Sequence, residues 1–315
     1  MKLDGMHHIT MITGDAERNV EFYADILGLR MVKKTVNFDA PEAYHLYFGD
    51  EQGSPGSILT WFEFAGAQRG RAGAGMIHTI ELGVESAASL DFWAQRLADK
   101  GYESQRGEHS LVFEDHDGLR FELVVPGALD PDVNANPPLR ARHPEVPSEH
   151  AILGVEGARA YIARGLDADR VLLTDTLGFT ELGEAEYRLE GEHRHFHWGY
   201  DNAAERGIQG AGTVHHIAWH SADGDHLKWR QRVVEAGMHA TPVIDREYFR
   251  SVYFRQPQGV LFELATTSPG FAVDEDPDHL GEQLRLPPQH EHLRSQLERL
   301  LTPLTNPRAA ARQEA

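Results

Sequence analysis

The sequence predicts an α+β fold: four βαβββ modules paired into two half-barrels. Three observations carry that prediction. Residues 91–101, "DFWAQRLADKG", align without gaps to 227–237, "LKWRQRVVEAG", matching Trp93 to Trp229, Gln95 to Gln231, Arg96 to Arg232 and Gly101 to Gly237. Each segment follows a related strand, "GAGMIHTIEL" (73–82) or "GAGTVHHIAW" (210–219), and precedes a Phe-Glu strand, "DGLRFELV" (117–124) or "QGVLFELA" (258–265). A fainter pair, "FYADILGLRMV" (22–32) and "LLTDTLGFTEL" (172–182), shares Asp, Leu and Gly at matched offsets.

The elements follow in order. Module 1 opens at "GMHHIT" (5–10), turns at the Gly of 22–32 and closes on "LTWFEF" (59–64). A small-residue linker, "GAQRGRAGAG" (66–75), leads into module 2, which ends at 117–124. Residues 127–150 carry five prolines and form a polar loop. Module 3 opens at "ILGVEGARAYI" (152–162) and closes on "HFHW" (195–198) in place of a Phe-Glu strand. A Gly/Ala joint, 204–212, precedes module 4, and the tail after residue 268 reads as an extended arm with one amphipathic helix. The expected organisation is therefore an N-terminal half (1–126, modules 1 and 2), a linker (127–150), a C-terminal half (151–268, modules 3 and 4) and a C-terminal arm and helix (269–315). A βαβββ unit leaves one sheet face open, so two units close around a cavity lined by the first and last strands of each.

Composition narrows the function classes. Hydrophobic content of 41% and charged content of 25% are ordinary for a globular chain of 315 residues. No apolar run approaches the roughly 20 residues of a membrane span, and "MKLDGMHH" has no signal-peptide core. The chain has no cysteine, which excludes disulfides, thiolate nucleophiles and Cys-zinc sites. A formal charge of −19 argues against nucleic acid, whose phosphates need a basic face. The expectation is a soluble, cytoplasmic protein with no membrane partner, free to form a homo-oligomer. Its 19 histidines make imidazole chemistry the first to test.

Two adjacent His pairs stand out, His7-His8 and His215-His216, each opening a strand. Side chains alternate along a strand, so one member of each pair faces the helix and the other the cavity. The bulkier apolar residues accompany His7 and His215, which assigns His8 and His216 to the cavity. Module 2 is an internal control: His78 aligns with His215, and Thr79 with His216. His78 is thus expected to be a packed, hydrogen-bonded histidine. Glu156 falls near the equivalent point of module 3, leaving a site built from modules 3 and 4 open. Carboxylates recur in the last strands: Glu63, Glu122 and Glu263. A Glu between Phe and Leu in a strand is costly unless paired or bound to a cation. Two His and one carboxylate would form a facial triad with open positions, whereas Glu63 as a fourth ligand would give a more closed Lewis-acid site.

The four modules, both His doublets and the terminal Phe-Glu strand resemble the vicinal oxygen chelate superfamily, and within it the hydroquinone-type ring-cleaving dioxygenases. The likeness extends to "LGLRMVKKTVNFDAPEAYHLYFGDEQGSPGSILTWFEF" and to "LPP" in the tail. It implies that modules 1 and 4 share the site and that His8, His216 and Glu263 bind Fe(II), with Mn(II) the alternative. It also implies catalytic roles for Tyr253 in "SVYFRQP" and Arg246 in "DREYFRS", with His7, Thr10 and His215 lining or supporting the site. The implied substrates are a small aromatic and dioxygen. Glu63 is expected to stay off the metal. No role is assigned to His45, His109, His193, His195, His197 or His220, most of which are expected to be structural or exposed.

Overall fold

Alternating apolar residues and positive-φ glycines divide the chain into the expected repeats. The computed structural model describes residues 1–126, 135–183, 185–203 and 205–309. Module 1 runs through β1 (Leu3–Thr13), α1 (Ala16–Val20, continued by a wider turn over Glu21–Ile26), β2 (Arg30–Asn37), β3 (Ala40–Gly49) and β4 (Ile58–Glu63). Module 2 comprises β5 (Ile77–Gly83), α2 (Ala87–Asp99), β6 (Ser104–Arg106), β7 (Ser110–Glu114) and β8 (Arg120–Val124). Module 3 has β9 (Val155–Ile162), α3 (Asp167–Val171, continued over Leu172–Leu177), β10 (Phe179–Gly183), β11 (Glu186–Glu190) and β12 (His195–Asn202). Module 4 has β13 (Thr213–Ser221), α4 (His226–Glu235), β14 (Ile244–Asp245), β15 (Arg250–Arg255) and β16 (Leu261–Ala265).

The aligned helices end alike for one reason. Gly101 and Gly237 adopt φ values of 84° and 86°, which an L side chain resists, and each terminates its helix. At the start of α2, Ser86 caps the backbone N–H of Ser89. Leu90, Trp93 and Leu97 then fall on one buried stripe, and Trp229 occupies the Trp93 position in α4.

Two eight-stranded sheets result. One has the order β14-β15-β16-β13-β1-β4-β3-β2, the other β10-β11-β12-β9-β5-β8-β7-β6. Each sheet therefore takes one module from each half of the sequence: modules 1 and 4 join through antiparallel β1 and β13, modules 2 and 3 through antiparallel β5 and β9. This pairing brings the two His doublets, some two hundred residues apart in sequence, onto neighbouring strands.

Of the linker, residues 127–134 lie outside the described residues; of the C-terminal arm, residues 310–315 do. The described arm carries the short helix α5 (Arg294–Leu300) and closes over module 1. There the fully buried Lys33 ammonium meets Asp274 at 2.6 Å and Glu275 at 2.5 Å. Arg308 reaches Glu51, and Phe271 packs on Tyr47 and Tyr248. A charge buried in this way is tolerable only because both carboxylates accompany it. Among the described residues no helix is long and apolar enough to cross a membrane.

Candidate metal centre

Directly paired residues on neighbouring strands share a face, so strand register alone assembles the site. Across modules 1 and 4, Tyr253 pairs with Glu263, Glu263 with Ala218, Ala218 with His8, and His8 with Ile58. One step along the same face, His216 pairs with Thr10, Thr10 with Thr60, and Thr60 with Tyr47. These two rows bring His8, His216 and Glu263 together on the concave face, all buried, with one ligand atom from each lying within 4.8 Å of the others. His8 and His216 face the cavity as expected, but His215 does not turn to the helix side: it is exposed and lines the same cavity.

The three side chains meet as acceptors. His8 Nε2 lies 3.2 Å from His216 Nε2, while Glu263 Oε2 lies 3.3 Å from the former and 2.9 Å from the latter. Despite that closeness, Oε2 is buried and accepts no hydrogen bond, whereas Oε1 accepts from Ser251 Oγ at 2.5 Å. The far side of each ring explains why. His7 Nδ1 lies 2.9 Å from His8 Nδ1, and His215 Nδ1 lies 2.8 Å from His216 Nδ1. One nitrogen in each contact carries the hydrogen; when it is on His8 and His216, their Nε2 lone pairs face the Glu263 oxygen. A buried carboxylate oxygen without a donor is expensive, and a cation among three convergent acceptors removes the expense. The donor set therefore fits a metal ion, and the doublets supply the outer hydrogen bonds that orient ligand histidines.

Electrostatics agree with the geometry. Burial raises the Glu263 pKa, but positive charge on the His8 and His216 rings outweighs it and holds the carboxyl well below its ordinary range; a metal ion bound there would supply that positive charge in place of the protons. Burial lowers the His216 pKa against the pull of Glu263. An ionised carboxylate and a neutral imidazole are the forms a metal requires.

Beside the centre lies a cavity of about 410 Å³ lined by His8, His216, His215, Phe62, Phe249 and Leu261, with Arg246 and Tyr253 on its wall. Arg246 Nε donates to the Tyr253 hydroxyl oxygen at 3.2 Å, and its Nη1 stands 3.0 Å from Asp39 Oδ2 at the lip. Burial and the Glu263 charge push the Tyr253 pKa up, so the phenol keeps its proton. The Tyr253 ring lies edge-on to His216, with centroids 5.6 Å apart. His7 turns away into a smaller cavity of about 180 Å³ behind Phe249, whereas Thr10 is fully buried beside the centre.

The register also corrects three sequence expectations. Counting from the His of each first strand, the four modules present His8, Thr79, Gly157 and His216 at one level; the last-strand residues two steps on are Thr60, Glu122, Gly199 and Glu263. The module 1 counterpart of Glu263 is thus Thr60. Glu63 lies three residues further along β4, on the opposite face, where it lines a cavity shared with Leu300 and Leu301 of the C-terminal arm. Phe-Glu similarity made the two glutamates look equivalent, and it could not report strand register. In module 3, Gly157 rather than Glu156 takes the His8 level; Glu156 stands one place earlier and accepts from Asn136 at 2.7 Å. The third correction is His45, which lines the cavity. Its signal, a His two residues before Tyr47 on one strand face, gains meaning only once β3 is known to sit beside β4.

The twin sheet shows what replaces a metal. At its equivalent centre Arg159 bridges Asp201, at 2.7 and 3.0 Å, and Glu186 at 2.7 Å. His78 is packed as expected, stacking on Tyr161 with its Nε2 3.0 Å from Asp201. A fixed guanidinium balances the acids there, so only the sheet of modules 1 and 4 presents convergent ligands among the described residues.

Fold and site together define a paired-βαβββ protein with a candidate His/His/Glu metal centre. The chain belongs to the glyoxalase/bleomycin resistance protein/dioxygenase superfamily, whose family model matches residues 5–123 and 164–264. It is 40% identical over 311 residues to MhqO of Bacillus subtilis, provisionally named a ring-cleaving dioxygenase, covering 96% of this chain and 97% of that one. It is 32% identical over 324 residues to the chlorohydroquinone/hydroquinone 1,2-dioxygenase of Sphingobium indicum, covering 95% of this chain and 96% of that one. The crystal structure of a provisionally assigned dioxygenase from Bacillus subtilis superimposes with a TM-score of 0.87 at 38% identity, covering 96% of this chain and 98% of that one.

Proposed function

We propose that this protein is a ring-cleaving dioxygenase that opens a hydroquinone-type aromatic with dioxygen, using Fe(II) held by His8, His216 and Glu263. The observation that carries the reading is the composition of the centre: two imidazoles and one carboxylate, with Thr60 rather than a second carboxylate at the remaining corner. Three protein ligands leave positions for an aromatic oxygen and dioxygen, whereas four would suit a closed Lewis-acid site. The names of the full-length relatives point the same way.

When bound, Fe(II) supplies the electron path between ring and dioxygen. The chain supplies the rest. Phe62, Phe249 and Leu261 give the cavity apolar walls that hold a ring and exclude water. The Arg246 charge stabilises a substrate oxygen that has lost its proton, and its hydrogen bond to the Tyr253 oxygen leaves the Tyr253 hydrogen free to point at the substrate. Because burial keeps that phenol protonated, Tyr253 acts as donor or acid, the form useful when a ring oxygen must regain a proton. His7 and His215 hold the ligand rings from behind.

The test is reconstitution of metal-free protein under anaerobic conditions with Fe(II), Mn(II), Ni(II) or Zn(II), followed by oxygen uptake against a panel of hydroquinones and catechols. The reading expects uptake with Fe(II) and hydroquinones. Turnover of a thiol–aldehyde adduct with Ni(II) or Zn(II), and no oxygen uptake, would reassign the protein to glyoxalase-like chemistry.

A further inference from the structure

His45 is the one cavity histidine the mechanism above does not use, and both its nitrogens are engaged. Its Nε2 lies 2.8 Å from Thr60 Oγ1, and its Nδ1 lies 2.9 Å from the Tyr47 hydroxyl. Thr60 Oγ1 in turn donates to Thr10 Oγ1 at 2.9 Å. That last bond fixes the direction of the whole chain. A hydroxyl has one hydrogen, so Thr60, having given its own to Thr10, can only accept from His45. His45 must then carry its hydrogen on Nε2 and accept the Tyr47 hydrogen on Nδ1. At the other end, Thr10 accepts from Thr60 and keeps an uncommitted hydrogen.

The place where that hydrogen emerges gives the chain its interest. Thr10 is fully buried, two residues along β1 from His8 on the same face, and directly across from His216. Thr60 occupies the corner of the centre where module 4 carries Glu263. The imidazole itself packs between two tilted rings, with centroids 4.1 Å from Tyr47 and 4.4 Å from Phe62, and a flipped ring would put carbons where both hydrogen-bonding nitrogens now stand. The arm residue Phe271 backs Tyr47 from the far side.

We propose that His45 is a positioning residue for the reaction: through Thr60 it imposes one direction on the hydrogen-bond chain, so that Thr10 presents its hydroxyl hydrogen to an oxygen atom reacting at the His8–His216–Glu263 centre. The functional half of this inference rests on the dioxygenase reading above; the directional half does not. Burial, reinforced by His8 and His216, holds the His45 pKa well below the ordinary imidazole value, so the ring remains a neutral relay at physiological pH. Removing the relay leaves Thr60 free to rotate and Thr10 free to donate back to it, which withdraws the donor from the centre. The ligands and the binding walls remain.

Two measurements test it. In 15N-labelled, metal-free protein, long-range 1H–15N spectra report the His45 tautomer directly. The expected result is Nε2–H in the wild type and Nδ1–H in Thr60→Val, where the acceptor for Nε2–H is gone. Nδ1–H in the wild type, or an unchanged tautomer in Thr60→Val, overturns the proposed direction, and neither outcome depends on turnover. In Fe(II)-loaded protein, His45→Phe keeps a ring packed between Tyr47 and Phe62 but removes both nitrogens. Oxygen uptake should show kcat reduced by about ten-fold or more with KM within about two-fold, one Fe(II) still bound per chain, and partial recovery in His45→Gln, which can still donate to Thr60. Should His45→Phe not fold, Thr60→Val carries the same kinetic test. Unchanged kcat in a folded, iron-loaded variant overturns the positioning role. Absence of uptake in the wild type instead overturns the dioxygenase reading, and the tautomer spectra still judge the relay.

Discussion

Replacing Glu81 by Gln isolates the electrostatics of the twin sheet built from modules 2 and 3. Glu81 is buried in β5 opposite Glu122, close to Glu186 and Asp201. Burial pushes its pKa up to about 7; Arg159 opposes the rise and the neighbouring carboxylates add to it. Against an unfolded value of 4.5, the folded protein binds this proton more tightly by a factor worth at most about 3 kcal/mol. The sign follows from linkage. The stabilisation is fully present below pH 4.5 and is lost as pH rises through 7, because a buried charge must then be carried. Gln keeps the shape of the protonated acid at every pH. Urea unfolding of both proteins from pH 4.5 to 8.5 should therefore show Glu81→Gln gaining on the wild type as pH rises, by up to about 3 kcal/mol above pH 8. Groups distant from Glu81 titrate alike in both proteins and cancel in the difference. A gap that stays flat with pH, or a variant that loses ground above pH 7, would show that Arg159 keeps Glu81 ionised and would refute the reasoning.

The remaining predictions concern the centre. His216→Ala should lose metal-dependent stabilisation, which in the wild type amounts to about 2.7 kcal/mol at a hundred-fold excess of metal over Kd, measured as a thermal shift with Mn(II). His78→Ala should keep that shift and lose only about 1–3 kcal/mol of intrinsic stability, the cost of its stack and its hydrogen bond to Asp201; equal loss of metal in both would contradict the register. Glu63→Gln should leave metal stoichiometry at one per chain by elemental analysis, because Glu63 occupies the opposite face of β4. Tyr253→Phe should retain iron and substrate affinity while lowering kcat by roughly 10²-fold in oxygen uptake, as expected for loss of a proton donor.

Much of the fold was legible because period-two alternation and positive-φ glycines are local. Trp93 and Trp229, Gly101 and Gly237, and both His doublets align without gaps, and alternation together with the bulk of the neighbouring apolar residues sends His8 and His216 inward. What escaped depends on contacts between distant strands. The convergence of modules 1 and 4 came from family likeness, since no spacing encodes that β1 pairs with β13. Phe-Glu composition equates Glu63 with Glu263, although a three-residue offset in β4 puts Thr60 at that level. His45 lies on β3, two strands from the nearest ligand, and acquires a role only through Thr60 and Thr10. Lys33 reads as an ordinary strand lysine until the C-terminal arm brings Asp274 and Glu275 to it from some 240 residues away in sequence.

The most direct test of the central claim is the fate of the oxygen atoms. Fe(II)-loaded protein should be given a hydroquinone under 18O2 in unlabelled water, quenched within the first turnovers and analysed by mass spectrometry. Ring cleavage at the His8–His216–Glu263 centre predicts a ring-opened product carrying both labelled atoms, before exchange with water, and no such product from Glu263→Ala. A quinone without label, a hydroxylated ring with a single labelled atom, or label incorporation that survives in Glu263→Ala would contradict it.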